Sequence, residues 1–190
     1  KKGYLIAFSG NSGIAQGPHI HFEIRNLSNH HPLNPLNYGF QVKDDIPPKL
    51  FNLAIYRHNK HGNPQKKALL ELKPITPNTY KLKEHQTIPV QGNYSFGIRV
   101  FDFLNGAPNW CGVYDLKLFL DSTVIYHHRM DEFAFHETRY INSLMDYKAK
   151  VKNDLSIQRT YIQPNNKLGI YRYVRGKGIV SLTDNQIHTL

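Results

Sequence analysis

The stretch Val113–Arg129, "VYDLKLFLDSTVIYHHR", decides the fold class. It holds two runs rich in Val, Ile, Leu, Phe and Tyr, separated by Asp121-Ser122-Thr123 as a hairpin turn would separate two strands. Outward from it lie further short β candidates: Phe51–Tyr56, Ala68–Leu72, Tyr94–Phe103, Leu168–Val174 and Gly178–Leu182. Short strands with regular turn signals predict a mostly β chain and, over residues 45–190, an Ig-like β-sandwich-type domain. One interruption breaks the pattern. "HETRYINSLMDYKAK" spaces Tyr140, Ile141, Leu144, Met145 and Ala149 helically, predicting one inserted helix near 138–150 whose apolar residues face the core. The closing "IVSLTDNQIHTL" reads as a strand, a tight turn and the start of a return strand, so the sandwich is expected to be truncated.

Composition supports this reading. The 190 residues include twelve Tyr and ten Phe, which favour strands, with 13 Gly and 11 Pro to punctuate them. The formal net charge of +10 predicts attraction to polyanions, anionic polymers of a cell envelope among them. Its 24 Lys and Arg are scattered, and no recognition helix, zinc knuckle or RNA-binding aromatic motif accompanies them, which argues against nucleic acid. No apolar run approaches the roughly 20 residues of a transmembrane helix. Cys111, the only cysteine, forbids an internal disulfide and a cysteine zinc site; beside Trp110 it is expected to be a small buried hydrophobe.

The first forty-odd residues have a different texture. "YLIAFS" reads as a strand, "GNSGIAQGP" as a glycine-rich loop and "HIHFEIR" as a second strand, followed by a proline-containing exit, "NLSNHHPLNPLNYGF". Asp44-Asp45-Ile46-Pro47-Pro48 has linker chemistry, and a boundary near residue 45 divides the chain into segments 1–44 and 45–190. The chain opens on Lys1-Lys2-Gly3 without a signal peptide and enters a strand at once, as a piece of a longer protein would.

In "GPHIHFEIR", Gly17–Arg25, the strand period puts Ile20, Phe22 and Ile24 on one face and His19, His21, Glu23 and Arg25 on the other. Residues two apart on a strand are about 6–7 Å apart at the backbone. Both imidazoles can therefore serve one reaction centre, or both can be ordinary polar residues on a wet face.

Residues 3–38, with "GYLIAFSG", "NSGIAQGPHIHFEIR" and the exit "PLNPLNY", resemble the closing part of the lysostaphin/LytM-type zinc metallopeptidases, which cut peptide crosslinks in peptidoglycan. The extension to Leu190 resembles the β-rich region that follows such peptidases in some Gram-negative envelope proteins. The resemblance implies that His21 is a zinc ligand and that His19, the catalytic neighbour, acts as general base or transition-state stabiliser. It also implies a Zn2+ cofactor, a peptidoglycan peptide substrate and a periplasmic or cell-envelope location. Zinc polarises a scissile carbonyl and lowers the pKa of bound water toward about 7, and an adjacent imidazole accepts the proton. Glu23 is a candidate for orienting His21, against the simpler reading of a surface charge pair with Arg25. Gly13 and Gly17 are candidates for lining a substrate groove.

The family's remaining ligands, a His and an Asp in an H-x3-D element, lie upstream of the matched strand and are not found before Lys1. A catalytic zinc takes three protein ligands, so this polypeptide alone is expected to be inactive. His127 and Asp131 satisfy H-x3-D literally, but on a strand they are about 13 Å apart, and His127 or His128 reads more simply as an exposed strand residue. The alternative function is a non-catalytic, degenerate peptidase whose β module binds the envelope or regulates another cell-wall hydrolase. A third reading is a free-standing sandwich adhesin or glycan-binding module fused to a peptidase remnant, to which exposed Tyr and Trp110 would offer sugar-stacking surfaces, against the commoner reading of buried aromatics.

Overall fold

The computed structural model describes residues 2–11, 17–40, 42–84 and 87–190. In chain order the strands are β1 (Ile24–Arg25), β2 (Pro32–Leu33), β3 (Lys49–His58), β4 (Pro64–Thr76), β5 (Thr79–Leu82), β6 (Gly92–Phe103), β7 (Trp110–Cys111), β8 (Asp115–Leu120), β9 (Thr123–Arg129), β10 (Gln158–Arg159), β11 (Tyr171–Val174) and β12 (Val180–Leu182). Helices α1 (Ile141–Leu144) and α2 (Tyr147–Asn153) follow β9. The chain is mostly β, as its composition and turn spacing predict.

β3 and β6 form the centre because they are long and flanked on both sides. β6 pairs antiparallel with β3 over most of its length, and β4 and then β5 extend the sheet beyond β3. The other edge of β6 is shared by three short strands: β12 at Gly92–Tyr94, β10 at Gly97 and Ile98, and β7 at Asp102 and Phe103. A separate sheet runs in the order β11-β9-β8. Its hairpin turn is Asp121-Ser122, with φ of +48° and +68°, the left-handed pair that suits a two-residue connection between twisted strands.

The period-2 pattern of β3 sorts its side chains between two layers. Ile55, with Leu53, joins Tyr94, Phe96 and Leu182 and packs against Leu118 and Leu120 of β8, so the smaller sheet covers one face. Ala54 and Tyr56 join Ala149 of α2, Ile157 and Tyr161 on the other. Gly178 closes this second layer from below. Its φ of +77° and the Thr160 carbonyl oxygen, only 2.3 Å from where a Cβ would sit, leave room for hydrogen alone.

Several expectations are corrected. The helix near 138–150 is broken: a 3-10 turn at Phe135–Tyr140 leads into α1, and Met145, with extended dihedrals, separates α1 from α2. Asp146 causes the restart, because its carboxylate caps α2 by accepting the Ala149 N–H at 3.1 Å. Leu144 and Ala149 are buried as expected, but Ile141 is exposed, since Leu144 fills the side of the single-turn α1 that meets Leu168 and Ile170. Cys111 is exposed, not buried, on a two-residue edge strand. His128 is fully buried and His127 half-buried, because β9 is the middle strand of its sheet. Among the described residues, the expected strands at Tyr4–Ser9 and His19–Glu23 join no ladder; of "HIHFEIR" only β1 pairs, with β2.

Candidate functional site

The histidine pair hangs from a small hairpin. β1 and β2 are joined by a turn in which Asn26 N–H donates to the His31 carbonyl at 3.0 Å and Asn26 Oδ1 accepts from the Ser28 N–H and hydroxyl. This hairpin is anchored on the segment after β9. Asn34 N–H donates to the Asp131 carbonyl at 2.9 Å, Leu33 bridges to Glu132, and the Arg25 guanidinium lies 5.0 Å from the Phe135 ring centre.

From that anchor residues 17–23 run outward. His21 Nε2 donates to Glu23 Oε1 at 2.7 Å, and the other carboxylate oxygen of Glu23 accepts from Arg25 Nε at 2.6 Å. The hydrogen bond from His21, with that from Arg25, holds the Glu23 carboxyl below its ordinary pKa. His19 Nδ1 donates to the Gly17 carbonyl at 2.9 Å. Gly17 has a φ of +149°, which favours glycine, so its role here is to shape the chain before His19. Phe22 turns to the opposite side and meets Phe40 with ring centres 4.9 Å apart. His21 and Glu23 are thus brought together, His19 bonds back to Gly17 instead, and Gly13 lies outside the described residues.

Chemically, this is an imidazole whose Nε2 proton is fixed by a carboxylate. The same carboxylate–imidazole arrangement orients metal-ligating histidines, leaving the second nitrogen available. As a complete zinc centre the donors do not suffice: among the described residues no three His, Cys, Asp or Glu side chains gather to hold a metal ion. The literal H-x3-D pair is likewise divided. His127 Nε2 donates to Asp115 Oδ2 at 3.1 Å, whereas Asp131 accepts from Tyr114, from Arg129 Nε at 2.7 Å and from Arg172 Nη2 at 2.5 Å. Burial pushes the Asp131 carboxyl up, but these three donors outweigh it and bring it to about 2.

Two other polar clusters were not foreseen from the sequence. In the layer beneath α2, Tyr56 Oη donates to Asp146 Oδ2 at 2.9 Å and Arg159 Nη2 reaches Asp146 Oδ1 at 3.4 Å, both in buried positions. Nearby, His58 Nε2 accepts from the Ser95 hydroxyl at 2.7 Å and His58 Nδ1 donates to the Gly62 carbonyl at 3.0 Å. The His58 and Ser95 side chains are both buried, so this pair stabilises the core and presents no nucleophile to solvent. Apart from the local His58–Gly62 bond, their partners lie 13 to 90 residues apart, so no local motif marks them. No family model, curated protein or solved structure matches this chain.

Proposed function

We propose that this chain belongs to a zinc metalloendopeptidase that hydrolyses peptide crosslinks of peptidoglycan in the periplasm or cell envelope, with His21 as a zinc ligand and His19 as its catalytic neighbour. The observation that carries the reading is the Glu23-oriented imidazole of His21, two residues from His19 on an exposed segment. Glu23 holds the His21 ring and proton; Gly17 holds the His19 proton on Nδ1, which leaves Nε2 to accept one. The reading requires a His and an Asp from polypeptide outside residues 1–190, since these residues supply only His21 of the family's ligand set. Peptidoglycan as substrate rests on the resemblance of residues 3–38.

The test is zinc stoichiometry and crosslink cleavage by the full-length protein. About one zinc per chain is expected, with loss of that zinc on His21→Ala and a roughly 10-fold or greater loss of zinc affinity on Glu23→Gln. Full zinc retention by His21→Ala overturns the ligand assignment. Absence of an upstream H-x3-D element overturns the enzyme reading.

A further inference from the structure

We propose that the exposed end of the seven-stranded sheet is a binding platform for a carboxylate-bearing polysaccharide. The register defines the platform. Lys49 lies opposite Phe101, Asn52 opposite Arg99 and Phe103 opposite Trp110, and cross-strand partners share a face, as do residues two apart along β6. Arg99, Phe101, Phe103, Lys49 and Trp110 therefore present one surface, beyond the part of the sheet that α2 covers.

Its parts are matched to a sugar acid. The Trp110 indole is 54% exposed and meets Phe101 in a tilted contact, with ring centres 4.4 Å apart and planes at 48°, which braces one side of the indole against an aromatic ring. A rigid apolar plane of this kind takes the C–H face of a pyranose. Beside it, the Arg99 guanidinium is held 5.1 Å from the Phe51 ring centre and 5.6 Å from that of Phe101. Its one side-chain hydrogen bond among the described residues is a long 3.5 Å contact to Asn52 Oδ1, and its Nε is buried without an acceptor. The guanidinium is thus positioned by stacking while its donors remain underused, the condition in which a ligand carboxylate adds most. Lys49 Nζ, 5.0 Å from the Phe103 ring centre, supplies a second cation. Asp154, the carboxylate that faces Arg99 from the end of α2, is already paired with Lys150 at 2.6 Å. A single-stranded nucleic acid fits less well: it calls for successive exposed stacking rings and a track of cations, and here only one ring is fully presented.

This site is independent of His21 and of zinc. Trp110 is the only tryptophan of the chain, so its fluorescence reports this surface alone. The experiment titrates the whole 190-residue chain, in EDTA, with oligogalacturonate, following tryptophan emission. A saturable change is expected, weakened about threefold by Lys49→Gln with an unchanged circular dichroism spectrum. Calorimetric binding is expected to disappear in Trp110→Ala. The proposal is overturned by an absent response, by an equal response to neutral maltooligosaccharide, or by tighter binding of single-stranded oligothymidylate.

Discussion

Residues 20–24, Ile-His-Phe-Glu-Ile, alternate apolar and polar, whereas residues 53–56, Leu-Ala-Ile-Tyr, are apolar throughout, and the two stretches meet opposite fates. Ile20 is 84% exposed, whereas Ile55 is 3% exposed. The difference lies in partners. Ile55 is on a strand flanked by β4 and β6 and covered by β8, while the chain around Ile20 joins no ladder among the described residues. Alternation encodes two faces; burial requires other strands to be brought to one of them. The same contrast separates the histidines. His21 and His19 stand in the open, bonded within two residues of themselves, and His128 and His58 are locked into the core by partners 30 and 37 residues away.

The largest expected effect is on the long-range side of this contrast. Asp146→Ala removes the α2 cap, the acceptor of the Tyr56 hydroxyl and the carboxylate beside buried Arg159. Leaving that guanidinium unpaired predicts a loss of about 3–5 kcal/mol in urea denaturation. A loss below about 1 kcal/mol would show that the buried polar layer does not hold the helix to the sheet.

Acid provides the next measure. Burial depresses the His128 pKa from 6.5 to about 4. Because the unfolded chain takes up this proton first, stability is full above about pH 6.5 and falls as pH drops from there toward 4. The shift corresponds to roughly 3 kcal/mol. Denaturation midpoints between pH 7.5 and 4 should therefore flatten in His128→Leu relative to the parent chain. An unaltered pH slope in that variant would remove His128 as the cause.

The smallest effect belongs to the open segment. Ile20→Ser and Phe22→Ser are expected to change stability by no more than about 0.5 kcal/mol, in the same denaturation experiment where Ile55→Ser costs several-fold more. A cost above about 2 kcal/mol at either position would mean that residues 19–24 are packed as the central strands are.

Much of the fold was legible because strand formers, turn residues and period-2 runs act locally. The hairpin around Asp121-Ser122, the long β6 and the strand through Phe51–Tyr56 all follow from such runs. The helix break was not legible in the apolar spacing, which is continuous through Met145. Asp146 carries the missed signal, a capping side chain inside the pattern. At the candidate site, the spacing of two brings His21 to Glu23; the Asp131 knot with Tyr114, Arg129 and Arg172, and the grouping of Lys49 and Arg99 with Trp110, had no local signature.

The sequence by itself determined the mostly β class and most of the strands, because side-chain alternation and turn chemistry depend on neighbours a few residues apart. Tertiary structure alone decided which alternating segments are buried, why Cys111 is outside and His128 inside, and how Lys49, Arg99 and Trp110 come to share one surface. Those outcomes depend on strand order and register, which bring together residues far apart in the chain, Lys49 and Trp110 across 61 positions and Gly92 and Leu182 across 90.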